Sequence, residues 1–269
     1  MSRLRAGSLA FLLLMSIVAC ATRPMPHESV SRILPTASPE SILASFDRRW
    51  QFTEDLRALA RVSIISAQGR YTTRQTFLWR RPALLRLDTV SLFGQPIMTL
   101  VADLAQASIY YPHESLFLQG PATAATMSRF IRLPLDAEDI GPLLMGYIRP
   151  SPRQWVSSIY LQPDAGMYLL RFLGSGEGLI QDAWVDPDQW LPRRIVRYTA
   201  LGVPAVDIAY SDFRPLTETF PFPHALTIWL PRVETEVRIQ FLAVDLNPGL
   251  SPSLFLLSPP EGARIVPLE

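Results

Sequence analysis

A change of period at Val62 constrains the fold more than any other feature of this chain. Upstream of it, Ile42, Leu43, Phe46 and Trp50 follow helical spacing behind Ser38-Pro39-Glu40, with Ser as N-cap and Pro at the first helical position. Thr53-Glu54-Asp55 reads as the cap of a second short turn carrying Leu56, Leu59 and Ala60, so one amphipathic helix with a break near Phe52 fits this stretch. From Val62 the period falls to two. Tyr71, Thr73, Gln75, Phe77 and Trp79 share one face by alternation, and Leu85 and Leu87 share one in the next strand. Candidate strands are 62–66, 71–80, 83–88, 97–101, 108–111 and 116–119, with turns at Ala67-Gln68-Gly69-Arg70, Arg81-Pro82 and Pro112-His113-Glu114.

The strands then stop. Residues 122–131 and 136–145 read as helices separated by Leu133-Pro134-Leu135. The second opens on Asp136, Glu138 and Asp139, which suits the positive end of a helix, and Gly146 is a stop. After Pro152 strands resume at 155–161, 167–172, 180–185, 193–199, 206–210, 224–229 and 234–244, and the tail runs through Leu254-Phe255-Leu256-Leu257. The order is a helix, roughly six strands, a helical pair and roughly seven strands, which implies one antiparallel sheet large enough to curl. The fold class expected is therefore mainly β (α+β), with the helical segments over a concave inner face. The 25 prolines fall mostly between the apolar runs, where they end strands and begin turns.

The first nineteen residues belong to targeting and not to this fold. Arg3 and Arg5 give a positive start, and Leu9 to Ala19 is apolar except for Ser16. That is the order of a secretory signal peptide, and the run falls short of the roughly 20 apolar residues of a spanning helix. Ile17-Val18-Ala19-Cys20 resembles the lipobox of bacterial lipoproteins. The resemblance implies a diacylglyceryl group on the Cys20 sulfur and cleavage before it. Cys20 is the only cysteine, so an internal disulfide is impossible and acylation accounts for the residue. One acyl chain anchors only marginally, whereas two or more hold stably. Ala21, where enterobacterial inner-membrane lipoproteins favour Asp, resembles an outer-membrane address. Residues 1–19 are read as signal peptide, 20–39 as a flexible tether rich in Pro, Ser and Thr, and 40–269 as one curled-sheet domain.

Charge narrows the function classes. Every basic residue is Arg, and removing Arg3 and Arg5 leaves 23 against 24 acids, a formal charge of −1. That balance argues against a nucleic-acid partner, which needs a basic face. His27, His113 and His224 give no zinc spacing, so no metal site is expected. No nucleophile elbow, phosphate loop or dinucleotide fingerprint is present, so neither an enzyme nor a cofactor is expected. Gly174-Ser175-Gly176-Glu177-Gly178 reads as a hairpin turn. Asp186-Pro187-Asp188 reads as a turn in preference to a calcium ligand pair.

The order of elements, with the lipobox, resembles the LolA and LolB family of lipoprotein carriers and receptors. Three stretches carry the likeness. One is the first helix running into Arg61-Val62-Ser63-Ile64. Another is Leu85-Arg86-Leu87-Asp88, Ser91-Leu92-Phe93-Gly94-Gln95-Pro96 and the strands ending in Tyr110-Tyr111-Pro112. The third is Phe255-Leu256-Leu257-Ser258-Pro259-Pro260-Glu261-Gly262-Ala263, similar to the family's closing strand. The resemblance implies a half-open antiparallel β-barrel with a helical lid over an apolar cavity for acyl chains. Phe77, Trp79, Leu85 and Leu87 are the candidate cavity lining, with plain core packing as the competing reading. Leu92 and Phe93 match by order the protruding apolar loop through which LolB delivers cargo. They either form that exposed tip or tuck under their turn.

The function implied is a lipid-anchored outer-membrane lipoprotein facing the periplasm. It would bind acyl chains or lipoprotein cargo, receive it from a periplasmic LolA-like carrier, and help insert it in the outer membrane. The alternative is an envelope structural or regulatory module that binds a partner protein with the same sheet.

Overall fold

The computed structural model describes residues 36–148, 150, 156–174, 178–218 and 220–268. Helix α1 (Pro39–Gln51) starts where its cap directs. The Ser38 hydroxyl accepts from the Ser41 N–H, and the Ser41 hydroxyl accepts from the Ser38 N–H, both at 3.2 Å. Its buried face is Ile42, Leu43 and Phe46.

No second helical turn follows. The chain passes directly into β1 (Asp55–Ser66), and Leu56, Ala58, Ala60 and Val62 point inward by alternation. The expected turn over Leu56, Leu59 and Ala60 is thus a strand. Leu59 lies on the outer face, 39% exposed, and its apolar side chain hides the alternation.

Hairpins then build β2 (Gly69–Arg80), β3 (Leu84–Val90), β4 (Pro96–Ala102), β5 (Gln106–Tyr111) and β6 (Leu116–Pro121). Helices α2 (Ala124–Ile131) and α3 (Ala137–Leu144) interrupt the series. It resumes with β7 (Val156–Asp164), β8 (Met167–Gly174), β9 (Leu179–Val185), β10 (Pro192–Tyr198), β11 (Pro204–Thr217), β12 (Phe220–Leu230) and β13 (Thr235–Leu246), and ends on β14 (Arg264–Pro267).

All fourteen strands lie in one sheet, in the order β14-β6-β5-β4-β3-β2-β1-β13-β12-β11-β10-β9-β8-β7. The two halves of the chain are joined by the β1–β13 pair, antiparallel from Leu56↔Leu246 to Ile65↔Glu236. Its ends, β14 and β7, do not pair, so the barrel is half open. The sheet curls, because α3 reaches both of its halves. Its Gly141 lies against Trp79 of β2, and its Asp139 pairs with Arg197 of β10. Those strands stand five places apart, which is about 24 Å in a flat sheet and more than twice a helix diameter.

The tail departs from the expected closing strand. Pro252–Phe255 is a short 3-10 turn, and Phe255 and Leu250 pack against Leu78 and Val101 on the outer face, forming a second small core. Asp55 holds this segment by accepting from the Leu250 and Gly249 N–H groups. The final strand β14 lies further on and pairs parallel with β6, the one parallel pairing among the described residues.

Candidate functional site

The concave face of the sheet is covered by the helices, and α3 is fastened to it by buried polar contacts. The Tyr210 hydroxyl donates to the Leu143 carbonyl at 2.7 Å, and Arg197 Nη1 meets Asp139 Oδ2 at 2.6 Å with both side chains nearly buried. Burial raises the Asp139 pKa above the ordinary carboxylate value, against the opposing pull of Arg197. Burial also pushes the Tyr210 phenol well above its usual range, so it stays a neutral donor. Just past α3, Gln181 donates to the Ile148 carbonyl, and the Tyr147 hydroxyl donates to Asp47 of α1 at 2.9 Å. Helix α2 is joined to α3 through the Asp136 carboxylate, which accepts from the Ala124 N–H at 2.9 Å. It meets the sheet through Met127, Phe130 and Ile131.

Between α2, α3 and the sheet lies an apolar cavity of about 80 Å³. Its walls are Ala60, Val62 and Ile64 of β1, Gln75 and Phe77 of β2, Leu87, Met98, and Val237, Ile239 and Phe241 of β13, with Phe130, Ile131, Leu133, Ile140 and Leu144 above. The only polar side chain among them is Gln75. Ile64 pairs with Tyr71 and Val237 in the last rungs before the Ser66–Gly69 turn, so the cavity sits toward that end of the barrel. An apolar slot therefore lies where the acyl cavity is expected, but it is mostly filled. Small-molecule pockets span about 300–1,000 Å³, so this slot is smaller than a bound ligand of that size needs.

Of the four candidate lining residues, Phe77 and Leu87 face the cavity. Trp79 and Leu85 do not. They share the same inward faces but lie further from the Ser66–Gly69 end, where the barrel is plugged. Trp50 of α1 sits 5.2 Å from Trp79 and stacks on Tyr147 at 4.7 Å, while Gly141 closes from α3. The residues that sequence reasoning missed are those of β13 and the lid. Val237, Ile239 and Phe241 alternate as plainly as β2 does, and that alternation was the available signal.

The Leu92-Phe93 pair is outside the core. Phe93 is 94% exposed and Leu92 46%, at the tip of the β3–β4 hairpin. This tip lies at the same end of the barrel as the Ser66–Gly69 turn, since β1 and β3 run in the same direction. Cys20 lies outside the described residues. His224 is buried with Nδ1 against the Phe222 carbonyl, and among the described residues no three His, Cys, Asp or Glu groups are placed to hold a metal. Asp186 caps its own turn, accepting from the Asp188 and Gln189 N–H groups, and its other oxygen takes Arg193. A larger open cleft of about 540 Å³ lies at the opposite end, between α1 and β11–β13. Arg48, Arg49, Gln189 and Asn247 in its walls make it a poorer match for an acyl chain.

A curled sheet under a two-helix lid, with an apolar slot between them, defines the class: the fold is the half-open barrel of LolA- and LolB-like proteins. A putative outer membrane lipoprotein-sorting protein domain from Vibrio parahaemolyticus superposes with a TM-score of 0.57 at 11% identity, covering 79% of this chain and 95% of that one. A DUF1329 family protein from Desulfovibrio piger gives 0.58 at 16% identity, with 82% and 98% covered. A LolA superfamily protein from Nitrosomonas europaea gives 0.55 at 11% identity, with 82% and 99% covered. At these identities the likeness is one of fold. No protein-family model matches the chain, and no curated protein matches it in sequence.

Proposed function

We propose that this chain is a lipoprotein of the bacterial outer membrane, anchored through Cys20 and facing the periplasm, that binds acyl chains or lipoprotein cargo and helps place them in the membrane. The observation that carries the reading is the apolar slot between α2 and the concave sheet, walled by Phe77, Leu87, Met98, Ile239 and Phe241. A fold shared with lipoprotein-sorting proteins supports it. Binding rests on apolar burial, each methylene removed from water contributing about 0.8 kcal/mol, and requires no covalent chemistry, so the chain acts as a carrier or receptor and not as an enzyme. Cargo enters as α2 swings away while α3 stays tied to β10 and β11. A periplasmic LolA-like carrier is the donor this reading requires, and the exposed Leu92-Phe93 tip is the delivery element.

The test is extraction of the purified full chain with solvent, followed by mass spectrometry, together with titration of a fluorescent fatty acid. Acyl lipid in the extract, and uptake displaced by unlabelled palmitate, are the expected results. A lipid-free extract with no uptake would overturn the reading and favour the partner-binding module.

A further inference from the structure

Two hairpin turns of this barrel are built to one plan. In Ser91-Leu92-Phe93-Gly94-Gln95, the Ser91 N–H donates to the Gln95 carbonyl at 2.8 Å and the Gly94 N–H donates to the Ser91 carbonyl at 3.0 Å. The Ser91 hydroxyl oxygen accepts from the Phe93 and Gln95 N–H groups at 3.2 and 3.1 Å. In Thr199-Ala200-Leu201-Gly202-Val203, the Thr199 N–H donates to the Val203 carbonyl at 2.8 Å and the Gly202 N–H donates to the Thr199 carbonyl at 2.9 Å. The Thr199 hydroxyl oxygen accepts from the Leu201 and Val203 N–H groups, both at 3.3 Å. The fourth residue is glycine with φ of +83° in one and +71° in the other, a conformation that disfavours a side chain. The third residue is Phe93, 94% exposed, or Leu201, 90% exposed.

The two turns share an end of the barrel. Strands β3 and β10 stand six places apart in an antiparallel run, so they point the same way and both turns cap the same rim. It is the rim toward which the apolar cavity lies. Leu92 and Val203 add half-exposed apolar surface, and Val233, 59% exposed, sits on the β12–β13 turn between them.

A large apolar side chain with nine-tenths or more of its surface in water contributes almost nothing to its own core. Four of the five amide protons in each turn are bonded within the turn, so immersing the tip strands few N–H donors. A protein-binding surface has no need of that, because a partner supplies acceptors of its own. We infer that Leu201 is a second lipid-contacting tip, and that the barrel docks on a bilayer surface at two points, Phe93 and Leu201. This rests on the delivery reading given above for Phe93 and extends it to a turn 108 residues further along the chain.

The experiment uses the full chain reconstituted in vesicles of phosphatidylethanolamine and phosphatidylglycerol, with one cysteine added at a time by Phe93→Cys, Leu201→Cys or Ala67→Cys. Each is labelled with an environment-sensitive dye, and the unsubstituted chain reports any dye taken by Cys20. Dyes at 93 and 201 should shift to the blue and be quenched by nitroxide lipids. The dye at 67, on a polar turn of the same rim, should do neither. A dye at 201 that stays in water while 93 enters lipid overturns the second tip and leaves the delivery reading standing. If neither enters, both fail. A dye at 201 that shifts only when a carrier protein is added makes the tip a protein contact and also overturns the inference. In parallel, Leu201→Ser and Phe93→Ser should each slow delivery of a labelled lipoprotein to vesicles by about tenfold, the factor that loss of one buried apolar side chain implies, at an unchanged melting temperature. Normal delivery by a well-folded Leu201→Ser variant counts against the inference.

Discussion

At the scale of single residues, the strongest constraints on the lid are one contact and one ion pair. A Cβ added to Gly141 would lie 2.3 Å from the Trp79 Cδ1 and Nε1 atoms, inside any tolerable contact, and Trp79 is itself wedged against Trp50. Gly141→Ala should therefore cost about 1–3 kcal/mol by overpacking, although alanine is the better helix former. Urea unfolding followed by tryptophan fluorescence checks this, and a stabilised variant would show that α3 shifts freely. The Asp139–Arg197 pair is buried on both sides. Asp139→Ala leaves a guanidinium without its carboxylate and should lower stability by about 3–5 kcal/mol, whereas replacing both partners with apolar residues should recover most of that loss. The same unfolding measurement on the single and paired variants decides it. Neither interaction is legible in the sequence. Gly141 lies inside a predicted helix with nothing to mark a close approach, and Asp139 reads as an acid suited to a helix start. Only the curl of the sheet brings Arg197, 58 positions away, against it.

At the scale of elements, alternation is a local signal, and where one face is polar it located the strands β2 and β13 to within a few residues. It failed where the outer face is also apolar. Leu59 on β1 gave Leu56, Leu59 and Ala60 a helical spacing, and the alanines that favour helix completed the disguise. The apolar run 254–257 looked like a strand, yet only Phe255 is buried, and Pro252 starts a 3-10 turn instead. Prolines misled in the other direction. Pro215, Pro221 and Pro223 lie within the β11–β12 pairing. They are tolerated because that stretch extends beyond the rungs β11 makes with β10 and β12 makes with β13, so few ladder bonds are lost. The lid helices carry a prediction of their own. Helix α3 is tied to β10 and β11 by an ion pair and a hydrogen bond, while α2 meets the sheet through apolar packing. Amide hydrogen exchange should be faster over 124–131 than over 137–144, and a bound fatty acid should alter the first segment more. Equal protection of the two helices, unchanged by ligand, would mean that the lid moves as one body or not at all.

At the scale of the whole molecule, the proposed function puts capture and delivery on different residues at one end of the barrel, so the two can be tested separately. Capture depends on the slot, where Ala60 is a small wall residue, 3% exposed. Ala60→Leu adds three methyl or methylene-sized groups to a space of about 80 Å³. It should leave stability within about 1–3 kcal/mol of the natural chain, the range for modest overpacking, while weakening fatty-acid binding at least tenfold. Delivery depends on the tip, where Leu92 and Phe93 are exposed and charge costs the fold little. The paired change Leu92→Glu and Phe93→Glu should alter stability by no more than about 0.5 kcal/mol, as surface substitutions do. Fatty-acid affinity should be untouched, and transfer of a labelled lipoprotein to liposomes should slow. A Leu or Phe fully buried in lipid contributes roughly 1.5–3 kcal/mol, enough to bias a tip already held near the bilayer but too little to anchor the protein. The informative outcome is the crossing of the two phenotypes. The slot variant should deliver little because it holds little, and the tip variant should load normally and then retain its cargo. If both variants lose binding to the same extent, the tip belongs to the cargo site. If the tip variant loads and delivers as the natural chain does, delivery runs through another surface, and the exposure of Phe93 serves something else.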